Sequence, residues 1–235
     1  MEKVQVKFGD WIEQGFNLYK ANFGPLVLAS LIVVLLSGVT FGILSGPMLA
    51  GLVIITLELM DKKEPKPTGG KVFRGFDYFL NSFLFVIGWG LALMIASVII
   101  GFIPCLGQLA AIFLVYAAQA FLMFGMFLIV DKKMDFWPAS MESINMVKSN
   151  FWPFLGFAVV AAIIGSLGAI ACGIGVIFTI PIQGCILAVA YREVFNGGRV
   201  SESPPDIPEP EETPPPDETP PPEGTPPPDE PIHPE

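Results

Sequence analysis

The chain has 235 residues and a mean hydropathy of +0.61, with 13 Lys+Arg against 22 Asp+Glu. Residues 201–235 hold 15 of the 23 prolines, 11 of the 22 acids and no Lys or Arg, so the acidity belongs to that tail and the rest is close to +2. Charged residues make up 15% of the chain, well under the roughly 25% of soluble domains, and the single histidine, His233, lies in the tail; this argues against an ordinary soluble domain and against a catalytic body rich in titratable groups.

Residues 1–20 open with an amphipathic pattern. Phe8, Trp11, Ile12, Phe16, Tyr19 and Phe23 share one helical face, opposite Asp10, Glu13, Gln14, Asn17 and Lys20. Asp10 and Glu13 sit where a cleaved signal would need an apolar core, so a cleaved secretory signal is not expected. Three charge-free runs follow: Ala21–Leu57 (37 residues), Tyr78–Val130 (53) and Ser149–Tyr191 (43). One bilayer crossing takes roughly 20 apolar residues. Each run therefore reads as two helices around a Gly/Pro/Ser-rich turn: residues 37–47, 101–104 and 172–175. The first run is tight for two crossings, so its second helix is expected to reach Met60. A soluble helix bundle would need polar stripes facing water, and these runs have none.

The expectation is an all-α integral membrane bundle of six transmembrane helices in three hairpins, with four crossings plus a re-entrant hairpin as the alternative. Lys and Arg fall in four places: Lys3–Lys20, Lys62–Arg74, Lys132–Lys148, and Arg192 with Arg199. Six crossings put all four on one side, which the positive-inside rule makes cytoplasmic together with both termini. The domain expectation is a membrane body at 1–199, with units at about 8–63, 71–133 and 136–197, and a disordered acidic Pro-rich tail at 200–235.

The units echo one another. Asn17-Leu18-Tyr19-Lys20-Ala21-Asn22-Phe23-Gly24-Pro25-Leu26 recurs 128 residues on as Asn145-Met146-Val147-Lys148-Ser149-Asn150-Phe151-Trp152-Pro153-Phe154. Gly75-Phe76-Asp77-Tyr78-Phe79 is a weaker middle copy, and Asp61-Lys62-Lys63 and Asp131-Lys132-Lys133 close the first two units alike. Met141, Ile144, Val147 and Phe151 form a stripe opposite Glu142, Asn145 and Lys148. Beside a crossing, such helices lie in the headgroup plane with lysine reaching phosphate. The Asn-Phe-x-Pro steps then read as elbows, with Asn22 and Asn150 able to take a left-handed end and Pro25 and Pro153 starting the next helix. The elbow residues expected at lipid headgroups are Asn17, Lys20, Asn22, Phe23 and Pro25, with Asn145, Lys148, Asn150, Phe151 and Pro153. Docking of a soluble partner on these faces is the other reading.

These units, with Glu142-Ser143, Lys148-Ser149-Asn150-Phe151-Trp152, Thr179-Ile180-Pro181 and Ala188-Val189-Ala190-Tyr191-Arg192, resemble a group of bacterial membrane proteins. The group includes the YciC-like family and the membrane domain found beside glycerophosphoryl diester phosphodiesterases. The resemblance covers about residues 8–197. It implies a multi-pass protein of the bacterial plasma membrane without defined activity; the phosphodiesterase catalytic domain is absent from this sequence.

Chemistry is sparse. There is no CxxC and no body histidine, so neither metal nor cofactor is expected, and Ser30, Ser37, Ser97 and Ser166 have no base in sequence reach. Gly38, Gly42 and Gly46 are spaced for close helix packing or a flexible turn. Glu58 falls beside Asp61-Lys62-Lys63 and is placed at the interface. Asn81, Gln108, Gln119 and Gln183 are the candidates for a polar path, with hydrogen bonding between helices as the plainer role. Cys105 and Cys172 fall in or near outer turns and are candidates for a disulfide. The expected function is a non-enzymatic scaffold or lipid-associated envelope protein; a small-molecule transporter or channel between the hairpins is the alternative. Expected partners are membrane lipids, a second copy or another membrane protein, and for the tail a cytoplasmic protein, with no nucleic acid.

Overall fold

The structure, a computed structural model, describes residues 6–103, 106–170 and 175–196, which form helices and turns with no strand among them. In chain order these are α1 (Phe8–Ala21), α2 (Phe23–Val39), α3 (Ser45–Met60), a 3-10 rod (Gly69–Tyr78), α4 (Phe79–Phe83) and one π turn (Leu84–Gly88). Then come α5 (Trp89–Gly101), α6 (Leu106–Leu122), α7 (Gly125–Asp131), α8 (Phe136–Lys148), α9 (Phe151–Ile170) and α10 (Val176–Asn196). The Pro-rich tail and the candidate pair Cys105 and Cys172 lie outside the described residues.

Four stretches are long and apolar enough to cross a membrane: Gly69–Gly101, Leu106–Asp131, Phe151–Gly168 and Val176–Phe195. α1 and α2 make a fifth only if taken together, and they meet at 92°. The sequence predicts six crossings, and the shortfall has a simple cause. The first charge-free run is divided between α2 and α3, with 17 and 16 residues. At about 1.5 Å per residue each rises about 25 Å, short of a hydrocarbon core of about 30 Å.

The elbow after α1 forms without a left-handed residue. Asn22 keeps φ at −130°, and its Nδ2 donates to the Leu18 carbonyl at 3.1 Å, satisfying an acceptor at the helix end. Pro25 and Pro153 each sit third in their helices, where the missing N–H has no intrahelical partner to lose. Among the described residues, the left-handed non-glycine positions are Phe41, Lys62 and Lys133. Lys62 ends α3: its N–H donates to Leu59 at 3.3 Å and the Lys63 N–H to Glu58 at 3.1 Å. Each Asp-Lys-Lys exit holds a left-handed lysine, but at different places: the second residue in Asp61-Lys62-Lys63 and the third in Asp131-Lys132-Lys133.

α1 differs from its expected setting. Trp11 and Tyr19 are buried in protein. Trp11 meets Phe157 edge-on at 5.0 Å and stacks near Phe154, while its indole N–H donates to Glu193. Gly15 permits this approach, because a methyl there would collide with the backbone of Ile186. Phe16 and Phe23 stay exposed. α1 is therefore docked on α10 along one edge of its aromatic face, and a 3.6-residue stripe does not reveal whether lipid or protein covers it. On α8 the buried side is Ala139, Ser140, Ser143 and Val147, with Met141 outside, so the stripe read from apolar size is rotated. The buried positions Trp11, Gly15 and Tyr19 of α1 fall 128 residues before Ala139, Ser143 and Val147. Leu26, Ala29, Ser30 and Val33 likewise precede buried Phe154, Phe157, Ala158 and Ala161 at that offset.

α10 packs against α9, α1, α2 and α3. Pro181 within it lacks an N–H and so frees the carbonyl of Ile177 four residues back. Ser30 Oγ, from α2, donates to that oxygen. A carbonyl left open in an apolar interior is costly, and this hydroxyl closes it.

Candidate functional site

The strongest concentration of polar chemistry lies where the helices carrying the four basic stretches end. It is built on the 3-10 rod. A 3-10 helix has three residues per turn and rises about 2.0 Å per residue, so residues three apart eclipse at about 6 Å. The rod is accordingly three-edged. Gly69, Val72 and Gly75 are buried, with Val72 and Gly75 against α3; methyls at Gly51 and Gly75 would meet the Val72 and Pro47 carbonyls. Phe73, Phe76 and Phe79 form an exposed row with centroids 6.5 and 6.2 Å apart and rings within 8° of parallel. Lys71 and Arg74 form the third edge and face Glu58 of α3, at 2.9 and 3.5 Å. In sequence this segment reads only as a weak copy of the first unit at Gly75–Phe79; the signal for the rod is Gly69, Val72 and Gly75 at spacing three.

Arg192 of α10 closes the cluster. Its Nη2 meets Asp61 Oδ2 at 2.8 Å and its Nη1 meets Asp131 Oδ2 at 3.2 Å. The Tyr191 hydroxyl donates to the same Asp131 oxygen at 2.9 Å. The two aspartates of the repeated Asp-Lys-Lys exits are thus clipped by one guanidinium from the third unit. The Arg192 side chain is 11% exposed, and its Nε is buried without a partner. Nearby, Lys132 approaches Glu142 at 3.8 Å, and Lys7 meets Glu193 at 2.9 Å. The hydrogen bond from Lys7 to Glu193, and then the carboxylate's charge, raise the Lys7 pKa above its ordinary 10.5. Each of the four basic stretches contributes a residue to these pairs.

One cavity is lined by the clip, and a second lies among the same helices. A polar one of about 220 Å³ is lined by Glu58, Asp61, Lys63, Arg74, Asp131 and Arg192, with Ile54, Leu57 and Val130 forming its floor. An apolar one of about 240 Å³ lies among α3, the π turn, α6–α7 and α10, lined by residues such as Leu52, Val53, Phe85, Met126, Phe127 and Leu187. Thr56 and Gln183 are its polar side chains, and the Thr56 hydroxyl is already bonded to the Leu52 carbonyl at 2.8 Å. Among the described residues, no group of three or more His, Cys, Asp or Glu is placed to hold a metal ion.

The four polar-path candidates are not brought together. Asn81 is half-buried, accepting the Phe136 N–H at 3.3 Å and donating to Asp135 at 3.2 Å, which holds the start of α8. Gln108 is exposed on α6. Gln119 lines an open groove of about 560 Å³ with Ser97, Tyr116 and Ser166, between α5, α6 and α9. Gln183 enters the apolar cavity and packs against Gly165. Of the elbow residues, Asn17, Lys20, Phe23, Asn145, Lys148 and Pro153 are exposed, and Asn22, Pro25, Asn150 and Phe151 are half-buried. Lys20 lies over the Phe16 ring at 4.4 Å, and Phe23 stacks on Phe178 at 6.1 Å.

Comparison with family models, with curated proteins and with solved structures finds no match for this chain.

Proposed function

We propose that this chain is a lipid-associated, non-enzymatic scaffold of the bacterial plasma membrane, akin to the YciC-like group its sequence resembles. Three helical hairpins cross the bilayer six times, both termini are cytoplasmic, and the clip at Arg192 marks the cytoplasmic end. α2 and α3 complete their crossings by locally thinning the bilayer. Membrane lipids are its partners in every state, and the exposed apolar faces are open to a second copy or another membrane protein.

One observation carries this reading. The polar side chains at the junction are largely committed to one another across the three units, and the space beneath them is lined by hydrocarbon. Cavities of about 150 Å³ with such a lining stay dry and take up small hydrocarbons, so the interior suits lipid better than a hydrated ion or sugar. Single-cysteine variants at Lys63 and Lys133, labelled in sealed inverted and right-side-out vesicles, test the topology. Both sites should react only from the cytoplasmic face, and labelling from opposite faces would refute the reading. Substrate-driven flux in proteoliposomes that disappears on replacing Gln119 or Gln183 would instead establish the transporter.

A further inference from the structure

We infer that the groove between α5, α6 and α9 binds one uncharged, lipid-soluble carbonyl compound, taken up sideways from the bilayer and held by Gln119 and Tyr116. This inference rests on the membrane reading above and goes beyond it by naming a ligand class and its seat.

The groove breaks a pattern. α3, α6 and α10 each close a charge-free run, and the leading ends of α3 and α10 are sealed against a neighbouring helix. Gly46, near the start of α3, lies against the backbone of Ser82 and Phe83. The Ile177 carbonyl, near the start of α10, takes the Ser30 hydroxyl of α2. The leading part of α6 instead stands open beside α5 and α9, leaving about 560 Å³, a volume ordinary for a small-molecule pocket. The small side chains of Ala111 on α6 and Ala162 on α9 make that room.

The ligand's chemistry follows from the lining. Its polar side chains are Ser97, Tyr116, Gln119 and Ser166, and none is charged, so an ion entering from lipid has no counter-charge there. Ser166 has given its hydroxyl hydrogen to the Ile163 carbonyl at 2.9 Å and can only accept. Ser97 Oγ is enclosed and takes no part in recognition. The Tyr116 hydroxyl and the Gln119 amide are exposed in the groove, with no hydrogen-bond partner among the described residues. They sit three positions apart on α6, which makes them neighbours on one face, and one carbonyl oxygen has lone pairs for both donors. Gln119 stands near the middle of the 26-residue span Leu106–Asp131, about 20 Å from either end. Acyl chains offer no acceptor at that depth, and an unmatched donor in hydrocarbon is costly. A neutral carbonyl compound supplies the acceptor, and Ile112 and Val115 supply wall for its apolar body. The polar groups meet in one concave space from facing helices, which suits a compact ligand; the helix of a second copy would call for a stripe along its length.

The test is native mass spectrometry of the full chain, delipidated and then released from micelles loaded with undecanophenone or with undecylbenzene. The probes share one apolar body and differ in a carbonyl against a methylene. One undecanophenone per chain should be retained, and undecylbenzene should be held about tenfold more weakly, the upper range for a neutral hydrogen bond. Gln119→Leu should cut retention of the ketone about tenfold and leave that of the hydrocarbon in place. Tyr116→Phe should act in the same sense, by about threefold. Both side chains are exposed, so the unfolding temperature in detergent should hold in each variant. Ala162→Phe, which fills the groove, should remove both probes. Equal retention of the two probes, or a ketone signal that Gln119→Leu leaves unchanged, overturns the proposal. So does a dimer in the same spectra that Gln119→Leu dissociates, because the amide then belongs to a second copy. A chain that stays in carbonate-washed membranes yet retains neither probe defeats this inference alone. Recovery in the aqueous fraction without detergent defeats the membrane reading beneath it.

Discussion

α3 and α5 are both free of Lys and Arg and dominated by aliphatic side chains, yet their surroundings are opposite. Twelve residues of α3 are buried, and α5 has none. Leu91, Met94, Ile95, Val98 and Ile99 of α5 are all exposed, a larger apolar face than a water-soluble monomer carries. What separates the two helices is where glycine lies. Gly46 and Gly51 of α3 let the backbone of Ser82 and Val72 touch the helix, whereas nothing lies within 4 Å of a methyl at Gly90 or Gly101 of α5. In lipid, hydrophobicity does not favour one apolar neighbour over another, and close backbone approach does.

The sharpest way to break that contrast is to fill both kinds of glycine. Gly51→Leu should lose more than about 3 kcal/mol, because backbone on the far side cannot give way. Gly90→Leu should stay within about 0.5 kcal/mol, as for a surface change. Unfolding by SDS titration in mixed micelles reads both, and equal losses would refute the division into protein-facing and lipid-facing helices. The next effect is at the clip. Arg192→Met leaves Asp61 and Asp131 facing each other across the junction. The loss should approach about 3 kcal/mol, reduced because the aspartates are 38% and 25% exposed. Adding Asp61→Asn and Asp131→Asn should recover part of it in the same titration.

A smaller effect belongs to the proline inside α10. Ser30→Ala should cost about 1–3 kcal/mol by opening the Ile177 carbonyl. In a Pro181→Ala background the helix supplies its own N–H, and the serine change should become nearly silent. A double-mutant cycle in which the two changes simply add would remove this account. The smallest effect is a pH dependence at Lys7. Because its folded pKa is raised, its contribution is fully present below the ordinary 10.5 and fades as pH rises through the folded value. Docking of α1 should therefore be constant from neutral pH to about pH 10 and weaken only above it. Quenching of Trp11 by an aqueous quencher, in a chain with Trp89, Trp137 and Trp152 replaced by Phe, follows that contact. A change near neutral pH would point to another group.

The legible part of the fold was set by charge. The empty runs placed the helix pairs and the turn between α2 and α3, the turns expected at 101–104 and 172–175 fall partly outside the described residues, and α3 does end at Met60. Helix lengths were less legible, because the turn at Thr40–Leu44 cuts the first run into two short helices without changing its apolar composition. The stripes on α1 and α8 were visible, but their neighbours were not: Glu193 meets Trp11 from 182 positions away. Of the junction, the paired Asp-Lys-Lys exits were seen and their shared partner was not. A single arginine following Tyr191 carries no local pattern that separates a clip from an ordinary cytoplasmic flank.

The docking of α1 on α10 has a consequence for the order of events in the cell. Trp11 of α1 finds its partner, Glu193, 182 positions further on, so α1 lacks its seat until α10 has been made. An amphipathic helix without its protein seat is stable lying flat on a bilayer. Chains arrested on the ribosome before residue 176 should cross-link Trp11 to lipid, and released chains should cross-link it to α9 and α10.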